Sequence, residues 1–211
     1  MSYAVKEIFL TLQGEGMHAG RTAVFCRFSG CNLWSGQEKD RATSLCKFCD
    51  TDFVGTNGLG GGRFENEQTL SEAIELCWGK QKTRYRFVVF TGGEPLLQLD
   101  HALIQCLKQK GFYIALETNG TFKVPEGVDW ICVSPKAGAK LIQRSGDELK
   151  LVFPQQDLDP KDFTQLPFTY FRLQPKDNCY KQKNLQLAIA YCQHYPIWQL
   201  SLQTHKLIGI V

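Results

Sequence analysis

Apolar residues along the chain come in short, β-rich runs that stop abruptly at small or polar clusters. Residues 23–28 end in Ser29-Gly30-Cys31, and residues 87–90 end in Thr91-Gly92-Gly93-Glu94-Pro95. Residues 113–116 lead to Glu117-Thr118-Asn119-Gly120, and 130–133 to Ser134-Pro135-Lys136. Runs at 149–153, 170–173 and 198–202 follow, the last two ending in Gln174-Pro175-Lys176 and Gln203-Thr204-His205-Lys206. Mostly continuous apolar runs predict strands buried on both faces, as parallel sheets require.

Helical spacing predicts three helices. Leu70, Ala73, Ile74 and Cys77 form one stripe, with Thr69 and Glu72 as a capping-box pattern in front. Leu99, Ala102, Leu103, Cys106 and Leu107 form the second, closed by Gly111. Leu185, Ala188, Ile189 and Cys192 form the third. Strands outnumber these helices, so some crossovers must be loops. Residues 55–62, with five glycines in eight positions, are expected to be a flexible loop. The polar clusters share one position, each directly after a strand. In α/β sheets ligands bind at that end, because the loops there converge on one face.

The length of 211 residues suffices for a sizeable core. It is short for a complete (βα)8 barrel, which takes about 250. The expectation is one domain over 1–211. A formal charge of +3 argues for neither nucleic acid nor membrane lipid as a partner. No window approaches the roughly 18 apolar residues of a membrane span, and the N-terminus lacks a secretory pattern. Nine cysteines, an odd number without an export signal, point to reduced thiols in the cytoplasm rather than a disulfide framework.

Cys77, Cys106 and Cys192 lie on the helical stripes and Cys132 in a strand run, where small buried hydrophobes are expected. Cys179, in a polar loop, suggests no role. Cys46-Lys47-Phe48-Cys49 is a C-x-x-C, whose spacing lets two thiolates converge, and Cys31 follows a strand earlier, with fourteen residues intervening. With Cys26 as a fourth ligand the site would suit structural zinc. Cys26 sits mid-strand, however, and three ligands with one open metal position suit an iron–sulfur cluster. Spacing leaves zinc and iron–sulfur both open.

Three cysteines, an aromatic (Phe48) before the last of them and a later Gly92-Gly93-Glu94-Pro95 together resemble the radical S-adenosylmethionine (SAM) superfamily. The glycine pair would let backbone approach a ligand closely. The superfamily pattern places three residues between the first two cysteines, whereas here residues 32–45 intervene. With that enlarged cluster loop, Leu12-Gln13-Gly14-Glu15-Gly16, Cys49-Asp50-Thr51 and Gln203-Thr204-His205-Lys206, the chain is similar to the 7-carboxy-7-deazaguanine synthases of queuosine and 7-deazapurine biosynthesis.

That resemblance implies an α/β fold, an incomplete, modified radical-SAM (βα) barrel with about six parallel strands and three clear helices. It implies a lyase that converts 6-carboxy-5,6,7,8-tetrahydropterin to 7-carboxy-7-deazaguanine with loss of ammonia. Cys31, Cys46 and Cys49 would hold a [4Fe-4S] cluster. Phe48, Cys49, Asp50, Gly93, Ser134, Pro135, Lys136, Gln174, Pro175, Lys176 and Asp177 would hold SAM. Leu12, Gln13, Gly14, Arg27, Thr91 and the C-terminal carboxylate of Val211 would hold the pterin, and Thr51 a Mg2+ ion. A flavodoxin-type electron donor and a homodimer complete the family expectation.

The residues themselves support parts of this. Gln13 and Gly14 offer amide and backbone groups to the flat edge of a pterin. Arg27, among Phe25, Cys26 and Phe28, would welcome a carboxylate; a structural ion pair is the plainer role. Glu15, Glu117 and His205 are open between ligand contacts and ordinary pairing. A glycyl-radical-enzyme activase of the same superfamily, and a zinc-stabilised binding module, are the alternative readings.

Overall fold

The computed structural model describes residues 2–80 and 85–210. Among them nine strands form one sheet: β1 (Tyr3–Leu12), β2 (Thr22–Phe28), β3 (Gly62–Phe64), β4 (Phe87–Gly92), β5 (Tyr113–Thr118), β6 (Trp130–Val133), β7 (Gly146–Phe153), β8 (Phe168–Pro175) and β9 (Trp198–Leu200). Their order is β3-β1-β2-β4-β5-β6-β7-β8-β9, which leaves the sheet open. The seven strands from β2 to β9 are parallel neighbours, where about six were expected. On the other side of β2, β1 and β3 run antiparallel. The continuous-run pattern misses β1, because Lys6 and Glu7 interrupt its apolar residues.

Four helices accompany the sheet among the described residues: α1 (Glu67–Trp78), α2 (His101–Gln109), α3 (Lys181–His194) and the short α4 (Thr204–Ile208). The first three are those expected, with one correction at the start of α1. Its cap is Asn66, whose side chain accepts from the Thr69 backbone N–H at 2.9 Å, while the Asn66 N–H donates to Thr69 Oγ1. The capping box therefore begins three residues before the Thr69–Glu72 pattern, since Asn is the stronger cap. Glu72 instead pairs with Gln68 one turn back on the helix surface.

Helices and sheet share a core of Val24, Cys26, Phe28, Leu70, Ile74, Val88, Phe90, Leu103, Ile104, Leu107, Ile114 and Leu116. Each large side chain there contributes about 1.5–3 kcal/mol on burial. Residues of opposite parity on the same strands, among them Ala23, Phe87, Val89 and Ala115, form a separate cluster on the other face.

Across that second face runs the 13–20 loop. His18 packs against Phe87, Tyr113 and Trp130, at the starts of β4, β5 and β6. The Arg21 guanidinium lies 3.9 Å over the Phe87 ring. The Gly16 N–H donates to Ser201 Oγ at 3.0 Å, and the Met17 N–H to Glu148 Oε2 at 2.9 Å. The loop thus reaches from β1 to β7 and to the residue after β9.

The glycine-rich 55–62 stretch, expected to be flexible, is docked along β1. Ile8 N donates to Leu59 O at 2.7 Å, and Gly58 N to Lys6 O at 2.9 Å. A Cβ at Gly61 would lie 2.1 Å from Lys6 O. These glycines permit close backbone approach, and the stretch shields a sheet edge.

Candidate active site

The loops at the carboxyl ends of the parallel strands surround a cavity of about 400 Å3, a size suited to small-molecule ligands. It is lined by Cys31, Cys46 and Cys49, and by every other residue assigned above to a ligand except Pro135 and Val211. Pro135 is buried, and its carbonyl accepts from Gln155 Nε2 instead. Val211 lies outside the described residues.

The insertion at 32–45 folds as a small core of its own. Leu33, Trp34 and Phe53 are buried with Cys46, and the Trp34 and Phe53 rings meet edge-on. A 3-10 turn over Glu38–Thr43 delivers Arg41, which lies 3.9 Å over the Trp34 ring. Arg41 also donates to the Cys49 carbonyl at 3.1 Å, so the insertion fixes the backbone of the C-x-x-C.

The three thiols that line the cavity present a donor set that fits an iron–sulfur cluster, in which each cysteine takes its own iron and one iron stays open to a ligand. Cys31 Sγ also accepts from the Leu33 backbone N–H at 3.4 Å, the kind of bond that tunes cluster sulfurs. Burial pushes the Cys31 and Cys49 thiols up, so loading a metal there would release protons. Cys26 lies in the helix-facing core, fully buried, and takes no part in lining the cavity.

Beside the thiols, the half-buried Lys136 donates through its ammonium to Ser134 O at 2.6 Å and Ser134 Oγ at 2.7 Å. Burial lowers its pKa, against the pull of Cys46 and Cys49. Lys176 lies 5.0 Å over the Phe48 ring. At the mouth, Lys206 of α4 bridges Asp50 and Asp177 at 2.6 and 2.7 Å.

The glycines of the Thr91–Pro95 segment serve packing as much as ligand approach. A Cβ on Gly93 would lie 2.3 Å from Gly30 O and 2.6 Å from Cys31 Cβ. Gly92, at φ +148°, would meet Phe28 O at 2.4 Å. Glu94, fully buried and outside the cavity lining, accepts from Thr118 Oγ1 at 2.7 Å, Asn119 N at 2.8 Å and Leu96 N at 3.0 Å. It ties the loop after β4 to the loop after β5.

Deeper in the cavity, Glu7, Arg27 and Thr91 form a row across β1, β2 and β4. Arg27 Nε pairs with Glu7 Oε1 at 2.7 Å, so it faces the cavity and also holds an ion pair. Gln13 is engaged at both ends of its amide: Nε2 donates to Glu117 at 2.9 Å, and Oε1 accepts from Glu15 N at 3.1 Å. Gly14 O accepts from Thr204 N and Thr204 Oγ1, and a Cβ on Gly14 would strike His205. The two residues organise the cavity wall by internal bonds.

Lys150 is the side chain that continuous apolar runs conceal. Its Nζ reaches Glu15 Oε2 at 2.7 Å and Glu117 Oε2 at 3.0 Å. Gln203 Nε2 donates to Glu15 Oε1 at 2.9 Å. The alternation Glu148-Leu149-Lys150-Leu151 carried the signal, placing Glu148 and Lys150 on the face opposite the two buried leucines.

A model of the radical SAM superfamily matches residues 40–146, starting beyond Cys31 and including Cys46, Cys49 and the Thr91–Pro95 segment. The chain is 58% identical to a 7-carboxy-7-deazaguanine synthase of Bordetella pertussis and 60% identical to one of Caulobacter vibrioides, each over 210 residues and 100% of both chains. Among solved structures it is similar to QueE from Escherichia coli, with 28% identity, a TM-score of 0.71, and coverage of 97% of this chain and 95% of that one.

Proposed function

The chain belongs to the 7-carboxy-7-deazaguanine synthases of the radical SAM superfamily, and from that premise we propose that its cavity converts 6-carboxy-5,6,7,8-tetrahydropterin to 7-carboxy-7-deazaguanine with loss of ammonia, a step of queuosine biosynthesis. The observation that carries this reading is the shared cavity. Three cysteines border it on one side, and charged groups of the strand interiors border it on the other.

When bound, the [4Fe-4S] cluster and SAM supply one-electron reduction and radical hydrogen abstraction, chemistry beyond any side chain. The protein's residues would bind, orient and exclude water. Cys31, Cys46 and Cys49 would ligate the cluster. Phe48 and Asp50, the strand-end residues Gly93, Ser134 and Lys136, and the 174–177 segment would hold SAM, with Pro135 holding the 134–136 turn in place through its bond from Gln155. Arg27, Thr91, Leu12, Gln13 and Gly14 would form the pterin site, with Arg27 meeting the substrate carboxylate as a fork-shaped cation. Thr51 would support a Mg2+ ion, which favours few protein ligands plus substrate oxygens. The C-terminal carboxylate of Val211 would complete the pterin site.

We extend the proposal to a single catalytic unit over 1–211 that works in the cytoplasm as a homodimer, reduced by a flavodoxin-type donor. No described helix is long and apolar enough to cross a membrane.

Anaerobic reconstitution with iron and sulfide, then incubation with reductant, SAM and the carboxypterin, tests the reading. Formation of 7-carboxy-7-deazaguanine is the expected result. A reconstituted cluster with no conversion of the pterin would remove the substrate assignment.

A further inference from the structure

At the base of the cavity, three carboxylates and one ammonium crowd together. Lys150 bonds Glu15 and Glu117, and its side chain is 4% exposed. Glu148, two residues earlier on the same face of β7, is 2% exposed. Beneath them a small pocket is lined by Glu15, Glu117, Glu148, His18 and Cys132. With every carboxylate ionised, the Lys150 ammonium would face three buried or half-buried negative charges, a costly arrangement away from water.

The hydrogen bonds distinguish the three carboxylates. Glu15 and Glu117 each have Lys150 on one oxygen and an amide N–H on the other, from Gln203 and Gln13 respectively. Glu148 accepts from the Met17 N–H through Oε2, while its buried Oε1 has no partner. A carboxylic acid tolerates that environment and a carboxylate does not. Burial pushes the Glu148 carboxyl up, in keeping with this assignment, against the pull of Lys150. The other charged or titratable groups facing the cluster are Cys132 on β6, Arg172 on β8, Lys136 in the loop after β6, and His205 on α4.

We propose that Lys150 is a positioning residue: its ammonium holds Glu15 and Glu117 as two ionised acceptors aimed at the N–H-rich edge of an aminopyrimidinone ring, while Glu148 beneath them is protonated. The substrate part of this inference rests on the pterin reading above. Adjacent ring N–H and exocyclic amine groups are donors, and an ionised carboxylate is acceptor-only. A protonated carboxyl would set a donor against a donor. Without the ammonium, like-charge repulsion would protonate one of the pair near neutrality.

The test compares reconstituted wild type with K150M, K150Q and K150R, reading KM for the carboxypterin from acid to alkaline pH, kcat, and SAM affinity. Removing the charge should raise KM roughly tenfold or more at neutral pH, the scale of a hydrogen bond to a charged group. In K150M and K150Q that KM should fall as pH rises and the lost acceptor ionises. K150R should restore a low, flat profile, and SAM affinity should stay unchanged. Two charge-removing variants keep the test alive if one fails to fold. Infrared spectra of the metal-free protein should show a protonated-carboxyl band that disappears in E148Q. A wild-type KM in both neutral variants, a pH-independent rise, or a band that survives in E148Q would overturn the proposal. If wild type itself fails to convert the pterin, the functional reading falls, while the infrared band still tests the charge assignment.

Discussion

Cys26 and Cys31 are five residues apart and have opposite fates. Cys26 lies within β2 on its helix-facing side, enclosed by the core, while Cys31 lies just past the strand end and faces the cavity. Cys31→Ala should therefore abolish cluster absorbance after reconstitution, whereas Cys26→Ala should keep the iron and sulfide content and lose about 1 kcal/mol to a small cavity. Iron analysis and urea unfolding read the two effects separately. Glu15 gives a second prediction at this scale. Burial alone would raise its carboxyl, but Lys150, with Gln203 and His205 behind it, carries it down to about 2. Its folded pKa thus lies below the unfolded value of about 4.3. The stability it contributes is present above that unfolded value and is lost as pH falls toward 2. Urea unfolding of wild type and Glu15→Gln should show a gap above pH 4.5 that closes on acidification. Single residues were legible where their type is rare in its setting, as with Arg27 in an apolar strand. For Lys150 the alternation marked the face, but not its partners, which lie 135 and 33 residues away.

Among elements, the loops after β4 and β5 are joined through one carboxylate. Glu94 accepts three bonds with two oxygens, and Glu94→Gln would set an amide N–H against one of those donors. Leaving a buried donor unpaired costs about 1–3 kcal/mol. The variant should melt earlier and bind SAM more weakly, as thermal unfolding and equilibrium dialysis would show, because Gly93 of the proposed SAM site lies on one of the loops it joins. The three long helices and seven parallel strands were readable because each presents a single periodicity. β1 was hidden by the polar face it turns to the cavity, where Glu7 serves Arg27. The glycines at 55–62 were misleading for a related reason. Glycine marks freedom and close approach alike, and only the neighbouring strand decides between them.

At the scale of the molecule, the cysteine loop carries its own small core of Leu33, Trp34, Cys46 and Phe53, separate from the clusters that hold the sheet and helices together. Small clusters open at lower free energy than large ones. Loading the iron–sulfur cluster should therefore slow hydrogen exchange over residues 31–54 and leave β4 and β5 unchanged, a pattern that exchange mass spectrometry can resolve. The short chain length was informative at this scale, since the parallel strands are present and several crossovers lack a helix. What it did not reveal was the loop of 13–20, whose His18 meets the starts of three strands. That loop covers the starts of the parallel strands, while Lys206 spans Asp50 and Asp177 among the loops at their other ends. Entry past that ion-paired bridge would make steady-state kinetics sequential and ordered, with whatever occupies the Arg27–Thr91 row entering first and leaving last.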